Sequence, residues 1–289
     1  MFTNPASLSL KYNQMVIQLK DSEQTVTRPI EDIGIVIIDN QMVQMTVPLI
    51  NALADNNVAV VFCGSNSMPN SMLMPLESNN TQQETIRYQI EASQPTNKRI
   101  WKELITSKIR NQAECLNRCG FDGSVLKPYY SNVLSGDKDN REGAAARIYW
   151  QKMYGKSFIR DRYGESPNHL LNYGYTILRA AVARALMGSG LLPAFGLFHR
   201  NRYNAFPLAD DVMEPYRPFV DEAVFELFST DPDIQLTKDV KQRLVSVLTC
   251  DVEMAGQTKP LQIALSSTTA SIAKILKDNK GTVTCPSFT

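Results

Sequence analysis

The chain has 289 residues, 43% hydrophobic and 20% charged, with a formal net charge of +1, enough for one large or two modest domains around a buried core. No apolar run reaches the roughly 18 residues of a spanning helix, and the start, MFTNPASLSLKYN, lacks the basic and apolar parts of a signal peptide, which predicts a cytoplasmic protein with no membrane association. Five cysteines without a secretion signal predict reduced thiols, and Cys115 and Cys119, four residues apart, read as helix packing and not as half of a zinc site.

The first 75 residues read as β. Leu8 and Leu10 alternate with polar neighbours, as do Met15, Ile17 and Leu19, with Tyr12-Asn13-Gln14 as the turn between them. Ile33 to Ile38 is a buried strand, and Gln41 to Val47 alternates again. Pro48 opens a short helix that Asn56-Asn57 stops, and Val58 to Phe62 is another buried strand. The expectation is a small sheet with one packed helix, followed by a loop over Gly64 to Asn70. Asp32, Asp39 and Asp55 fall at turns and ends, where acids cap, so this part carries no catalytic cluster and suits assembly or support.

Composition shifts near Pro75. Residues 77–83 are polar and read as a linker, and from Glu84 the pattern is helical. Ile86, Ile90, Ile100, Trp101, Leu104, Ile105 and Ile109 follow helical spacing with an interruption at Gln94-Pro95-Thr96. A further helix is expected through Cys115 to Cys119, ending at Gly120. Asn140 or Asp139 can cap a helix that starts at Arg141 and carries Glu142 in its first turn. Taken locally, Glu142 reads as an acid serving the helix dipole. Leu170 to Gly188 is a long helix, with His169 at its start reading as structural. Helices are expected over Glu222 to Phe228, Leu236 to Leu248 and Ile263 to Leu276, with a frayed tail from Thr282 to Thr289.

Leu191 to Asp221 holds the concentrated chemistry. His199 lies in a polar, cationic stretch. Asp210, Asp211 and Glu214 follow among Leu208, Ala209, Val212 and Met213. Carboxylates set in an apolar run need a cation, a proton or a metal to offset desolvation, and a histidine with helix-borne carboxylates suits a divalent ion. With Pro207 in the first turn, one helix would place Asp211 and Glu214 on one face and turn Asp210 about 100° away. A solvated helix start is the plainer alternative.

Charge is unevenly spread. From Gly143 to Arg202 there are nine cations (Arg147, Lys152, Lys156, Arg160, Arg162, Arg179, Arg184, Arg200 and Arg202) against Asp161 and Glu165. Such a basic middle in a near-neutral chain suits a polyanion; a partnerless cationic surface is the alternative.

The segments DNREGAAARIYW and LLNYGYTILRAAVARALMGSGLLPAFGLFHRNRYNAFPLADDVMEPYRP, with the β-then-α order, resemble the CRISPR-associated spacer-acquisition integrase and endonuclease subunit in its type II form, over essentially the whole chain. The resemblance implies an α+β two-domain fold. Residues 1–76 would form a β-rich dimerisation domain, and residues 77–289 an all-α catalytic domain. It implies Glu142, His199 and Glu214 as catalytic metal ligands for Mg²⁺ or Mn²⁺, with Asp211 behind them or as the alternative ligand. Arg147, Lys152, Arg179, Arg184, Arg200, Arg202 and Arg217 would hold DNA phosphates. Tyr149, Tyr163 and Tyr203 could stack on unpaired ends, though packing is the commoner role of such rings. The implied activity joins the 3′-hydroxyl ends of captured double-stranded DNA to CRISPR repeat DNA. The implied assembly is a homodimer with a small dimeric adaptation subunit, the RNA-guided effector nuclease being a further candidate partner. No G-x-x-x-x-G-K-[ST] phosphate loop is present. A hydrolytic metal-dependent nuclease and a non-catalytic DNA-binding scaffold are the rival classes.

Overall fold

The computed structural model describes residues 1–20, 24–75, 77–161, 164–199 and 201–289. Contacts divide the chain into Met1–Asn80 and Thr81–Thr289.

In the first unit, β1 (Ala6–Lys11) and β2 (Gln14–Leu19) form a hairpin registered from Ala6↔Leu19 to Lys11↔Gln14. Its two-residue turn, Tyr12-Asn13, has φ of 52° and 56°, the left-handed pair that matches the twist of the flanking strands. Two strands were not expected. β3 (Thr25–Pro29) pairs with β2, and β7 (Pro69–Leu73), which begins inside the loop expected over Gly64 to Asn70, pairs antiparallel with β6 (Ala59–Cys63). Neither shows buried/exposed alternation; each is an edge strand whose conformation comes from its neighbour's hydrogen bonds.

The expected single sheet is two. One has the order β3-β2-β1-β5, where β5 (Gln44–Met45) adds in parallel to β1; the other is β4 (Ile35–Ile38), β6 and β7. Helix α1 (Val47–Asp55) carries Pro48 in its first turn. Leu49 and Leu53 from α1 join Leu8, Met15, Val36, Ile38 and Val60 in one core.

The second unit is mostly helical: α2 (Gln82–Glu91), α3 (Gln94–Arg118), α4 (Lys127–Tyr130), α5 (Arg141–Tyr154), α6 (Asn168–Gly188), α7 (Pro207–Val212), α8 (Arg217–Thr230), α9 (Lys238–Ser246) and α10 (Leu261–Asp278). The Gln94-Pro95-Thr96 interruption is the start of α3, where Ser93 Oγ accepts from Thr96 N. From there α3 runs unbroken for 25 residues, past Cys115, where two helices had been expected. Its buried stripe (Ile100, Trp101, Leu104, Ile105, Lys108, Ile109, Cys115, Leu116) makes it the central rod on which α5 and α8 pack. Helices α6 and α8 approach closely at Gly174, where an added Cβ would lie 2.5 Å from Val220 Cγ1.

This unit is not all-α. Strands β8 (Asp251–Met254) and β9 (Gln257–Pro260) form a hairpin turned at Ala255-Gly256, with φ of 53° and 76°. Val252 and Met254 alternate inward along β8, a period-two signal too short to stand out between helices. The tail is packed and not frayed: Ser287 exchanges backbone hydrogen bonds with Glu253, and Phe288 stacks on Phe219 with centroids 4.1 Å apart. Among the described residues no helix is long and apolar enough to cross a membrane.

Candidate active site

Helix α3 supplies one wall. Trp101 and Lys108 lie seven residues apart, two turns, and so share its buried stripe. Opposite Lys108 stands the first turn of α5. Asn140 Oδ1 caps it by accepting from Gly143 N at 3.2 Å, and the Asp137 carboxylate accepts from Arg141 N at 2.8 Å and Glu142 N at 3.1 Å. Both capping residues are left-handed, Asp137 at φ 49° and Asn140 at φ 50°. Asp and Asn are the non-glycine residues that take this backbone most readily, because their short polar side chains bond nearby N–H groups. The result fixes Glu142, whose Oε1 lies 2.5 Å from Lys108 Nζ.

Glu214 reaches the same point from the other side. The helix expected to carry both Asp211 and Glu214 is divided: α7 ends at Val212, a 3₁₀ turn spans Glu214–Tyr216, and α8 begins at Arg217. Pro215 is the physical reason, since it has no N–H to bond the Asp211 carbonyl four residues back and its ring crowds that carbonyl. Asp211 and Glu214 therefore serve different partners. Glu214 Oε1 accepts from Arg217 Nε at 2.9 Å, and Oε2 lies 2.5 Å from Lys108 Nζ without hydrogen-bond geometry. Burial pushes the Glu214 carboxyl up, but Arg217 and Lys108 outweigh it and hold the group at about 2. Burial lowers the Lys108 pKa, yet Glu214 and Glu142 raise it more, so the net shift is upward.

Asp211 is fully buried beneath the histidine. Its Oδ2 accepts from Leu197 N at 2.7 Å and Phe198 N at 3.0 Å, while Oδ1 accepts from His199 N at 3.3 Å and meets His199 Nδ1 at 2.5 Å. Gly196 permits this tight loop: a Cβ there would lie 2.5 Å from the His199 carbonyl oxygen and 2.9 Å from Pro207 Cβ. With Nδ1 on Asp211, Nε2 is the ring nitrogen left for another partner. The Asp211 hydrogen bond raises the His199 pKa above its ordinary value. Trp101 stacks on Phe198 at 4.4 Å and meets the His199 ring edge-on at 5.5 Å. Asp210 does turn away from Asp211. It pairs with Arg179 through Nε at 2.6 Å and Nη2 at 2.9 Å, and accepts from Asn204 Nδ2 at 2.7 Å.

Glu142 and Glu214 thus converge on one point, which Lys108 occupies, and His199 and Glu214 are close enough to perturb one another's charge. Among the described residues no three of His, Cys, Asp and Glu already enclose a metal-sized space. Of the cations singled out by sequence, Arg147 and Lys152 are exposed on α5, and Arg202 is exposed with its guanidinium 4.7 Å from the Tyr203 ring centroid. Arg184 is partly buried, which lowers its pKa. Arg179 is committed to Asp210. Arg217 is turned inward between Glu214 and the Tyr175 ring, 4.5 Å from its centroid, a place that holds a carboxylate and not a surface phosphate. Arg200, Arg162 and Tyr163 lie outside the described residues.

Of the rings considered for stacking, Tyr149 is fully buried and Tyr203 is 79% exposed, so among the described residues Tyr203 is the one open to a base. Residue-by-residue reading missed the site roles of Lys108 and Trp101, while Asp137 falls in the stretch 136–140 whose residues read as a turn and cap region. Lys108 had a signal: a lone cation on an otherwise apolar helical stripe.

Behind the site, Asp221 is buried and accepts from Tyr149 Oη at 2.9 Å and from Tyr175 Oη. Burial pushes its carboxyl up to about 6, although both tyrosines, Arg217 and Arg160 pull it down. The unfolded chain has a value of about 4, so the folded protein binds the extra proton between about pH 4 and 6. Its contribution to stability is present below that window and declines as pH rises through it. Asp221→Asn should therefore lose more stability relative to wild type at about pH 4.5 than at about pH 7. Urea unfolding at the two pH values checks this; an equal loss at both places the carboxyl outside the window.

The family model for CRISPR associated protein Cas1 matches residues 1–135 and 139–248. A CRISPR-associated endonuclease Cas1 of Neisseria meningitidis serogroup C (strain 8013) is 36% identical over 287 residues, covering 98% of this chain and 91% of that protein. A casposase bound to integration product matches with a TM-score of 0.76 at 21% identity, covering 97% of this chain and 90% of that one. A Cas1 protein from Thermotoga maritima matches with a TM-score of 0.77 at 16% identity, covering 98% and 97%. At those identities the two structural likenesses establish a shared fold.

Proposed function

The chain belongs to the family of CRISPR-associated Cas1 proteins, and from that premise we propose that it is a divalent-metal-dependent DNA integrase and endonuclease of CRISPR adaptation. The observation that carries this reading is the convergence of Glu142 and Glu214 on one buried cationic point, beside a histidine braced through Nδ1 by a buried carboxylate. A relative named as an endonuclease and a fold neighbour captured with an integration product support it.

Glu142, Glu214 and His199 Nε2 are assigned to hold Mg²⁺ or Mn²⁺. Two carboxylates and an imidazole suit Mn²⁺ well and Mg²⁺ acceptably. Glu214 Oε2 is buried without a hydrogen bond and faces the Lys108 ammonium at 2.5 Å, so the point where the two carboxylates meet is one that takes a cation. The His199–Asp211 pairing is the one that orients metal-binding histidines. When bound, the metal supplies charge neutralisation at the reacting phosphate and a lowered pKa for the attacking hydroxyl.

The chain's own groups do the rest. Asp211 and the Trp101 ring fix the plane of His199, Asp137 fixes the start of α5, and Arg217 keeps Glu214 ionised. In the proposed reaction a DNA 3′-hydroxyl oxygen bonds to a backbone phosphorus while the existing P–O3′ bond breaks, the attacking hydroxyl losing a proton and the departing O3′ gaining one; water in place of the DNA hydroxyl gives hydrolysis.

Among the described residues the proposed DNA surface rests on the outward cations Arg147, Lys152 and Arg202, with Tyr203 as a stacking face, and Arg200, outside the described residues, stays in the proposed set. Such contacts position DNA without reading sequence. Arg147→Ala and Arg202→Ala should each lower the slope of log K against log salt by roughly 0.9. Titration of a donor duplex at four salt concentrations measures this, and an unchanged slope removes that residue from the DNA path. The first unit is proposed as the homodimer surface, on the strength of its edge strand β3 and its exposed Tyr12, Leu19 and Val26. A small dimeric adaptation subunit is the proposed further partner. The test of function is a product assay with supercoiled repeat-bearing acceptor and free-ended donor DNA. Donor joined to acceptor supports integration; nicking without joining supports the hydrolytic nuclease; binding alone supports a scaffold.

A further inference from the structure

The occupant of the converging point is a lysine. Lys108 comes from the middle of α3, its side chain is 8% exposed, and its Nζ lies 2.5 Å from both Glu142 Oε1 and Glu214 Oε2. An ammonium is a compact point charge with three donors and no acceptor. Two carboxylates aimed at one buried point repel unless a cation stands between them. Arg217 cannot take that place, because it holds the other oxygen of Glu214 and lies under the Tyr175 ring.

We infer that Lys108 is a positioning residue, the resident counter-cation of this site, which holds Glu142 and Glu214 together in the metal-free protein and yields at least one of them when the metal arrives. The inference rests on the ligand assignment above. Its physical basis is charge and space. Lys108 and Arg217 already neutralise the Glu142 and Glu214 carboxylates, so even with the buried Asp211 carboxylate beside His199 a divalent ion leaves the site positive unless one cation withdraws. Lys108 is the one able to move, because its stem is a flexible four-carbon chain while Arg217 is clamped by a carboxylate and a ring. The way out passes Glu142, whose side chain is 32% exposed against 6% for Glu214. Metal affinity is then the result of a competition with the protein's own ammonium, and removing that ammonium should strengthen it.

The test is Mn²⁺ binding to the DNA-free protein by calorimetry at one pH, with thermal melting in the presence and absence of Mn²⁺. Lys108→Met keeps the apolar stem, and Lys108→Gln keeps a hydrogen-bond donor without the charge. Both variants should melt lower than wild type without metal, bind Mn²⁺ about tenfold more tightly, and gain more melting temperature from it. Folded variants that bind Mn²⁺ as wild type does, or more weakly, overturn the inference. Should both variants be unfolded without metal, refolding by Mn²⁺ supports it and failure to refold overturns it. Glu214→Ala separates the two levels: wild-type Mn²⁺ binding that survives this change overturns the ligand assignment itself, whatever the lysine variants do.

Discussion

Glu214→Gln should abolish integration at every Mn²⁺ concentration tested, a loss well beyond the roughly 100-fold upper limit seen when only a supporting partner of a metal ligand is removed. The change keeps shape and removes charge. It takes away the carboxylate on which Lys108 and Arg217 both depend. Two cations are then left buried and under-compensated, which costs about 3–5 kcal/mol as a broken buried pair, so a melting curve belongs beside the activity assay. Glu142→Ala and His199→Ala should be equally inactive, because three ligands act as one unit and each loss removes most of the metal affinity. Duplex binding should survive in part in all three, since it rests on outward cations. Quantified strand transfer in Mn²⁺ is the measurement, and near-wild-type joining by any one of them removes that residue from the ligand set.

Asp211→Asn should behave differently. Asp211 is fully buried, and its two oxygens are occupied by three backbone N–H groups and the His199 ring. No lone pair points to where Glu142 and Glu214 meet, which favours the supporting role over direct ligation. An asparagine keeps one oxygen and turns an NH₂ toward groups that also donate. We expect a loss of about 10–100-fold, partly restored by raising Mn²⁺.

The pH profile provides a second readout. Protonated His199 cannot bind metal, and the hydrogen bond from Asp211 raises its pKa. Activity that needs neutral His199 should therefore rise with pH through that raised value. Removing the carboxylate should move the acid limb of the profile to lower pH while lowering the plateau. An Asp211→Asn protein dead at all Mn²⁺ concentrations, with Glu214→Gln rescued by the metal, would exchange the two roles.

What could be read from the sequence is what depends on near neighbours. The β1–β2 hairpin, α1, α5 with its Asn140 cap, and α6 were legible because hydrophobic period and capping residues act within a few positions. So was the divergence of Asp210 from Asp211, which follows from 3.6 residues per turn. The edge strands β3 and β7 were not, although each pairs with a near neighbour in the chain, because their residues show no buried/exposed alternation; nor was the β8–β9 hairpin, whose inward alternation spans only four residues, nor the packed tail, which is held by Glu253 and Phe219 from distant parts of its unit. The same division runs through the site. The acids and the histidine stood out because charge in an apolar run demands a partner. Which partner each one has was decided only when α3 brought Lys108 and Trp101 against residues 34 to 106 positions away. Burial raises the cost of an unpaired charge, and only the tertiary structure determines what is buried beside it.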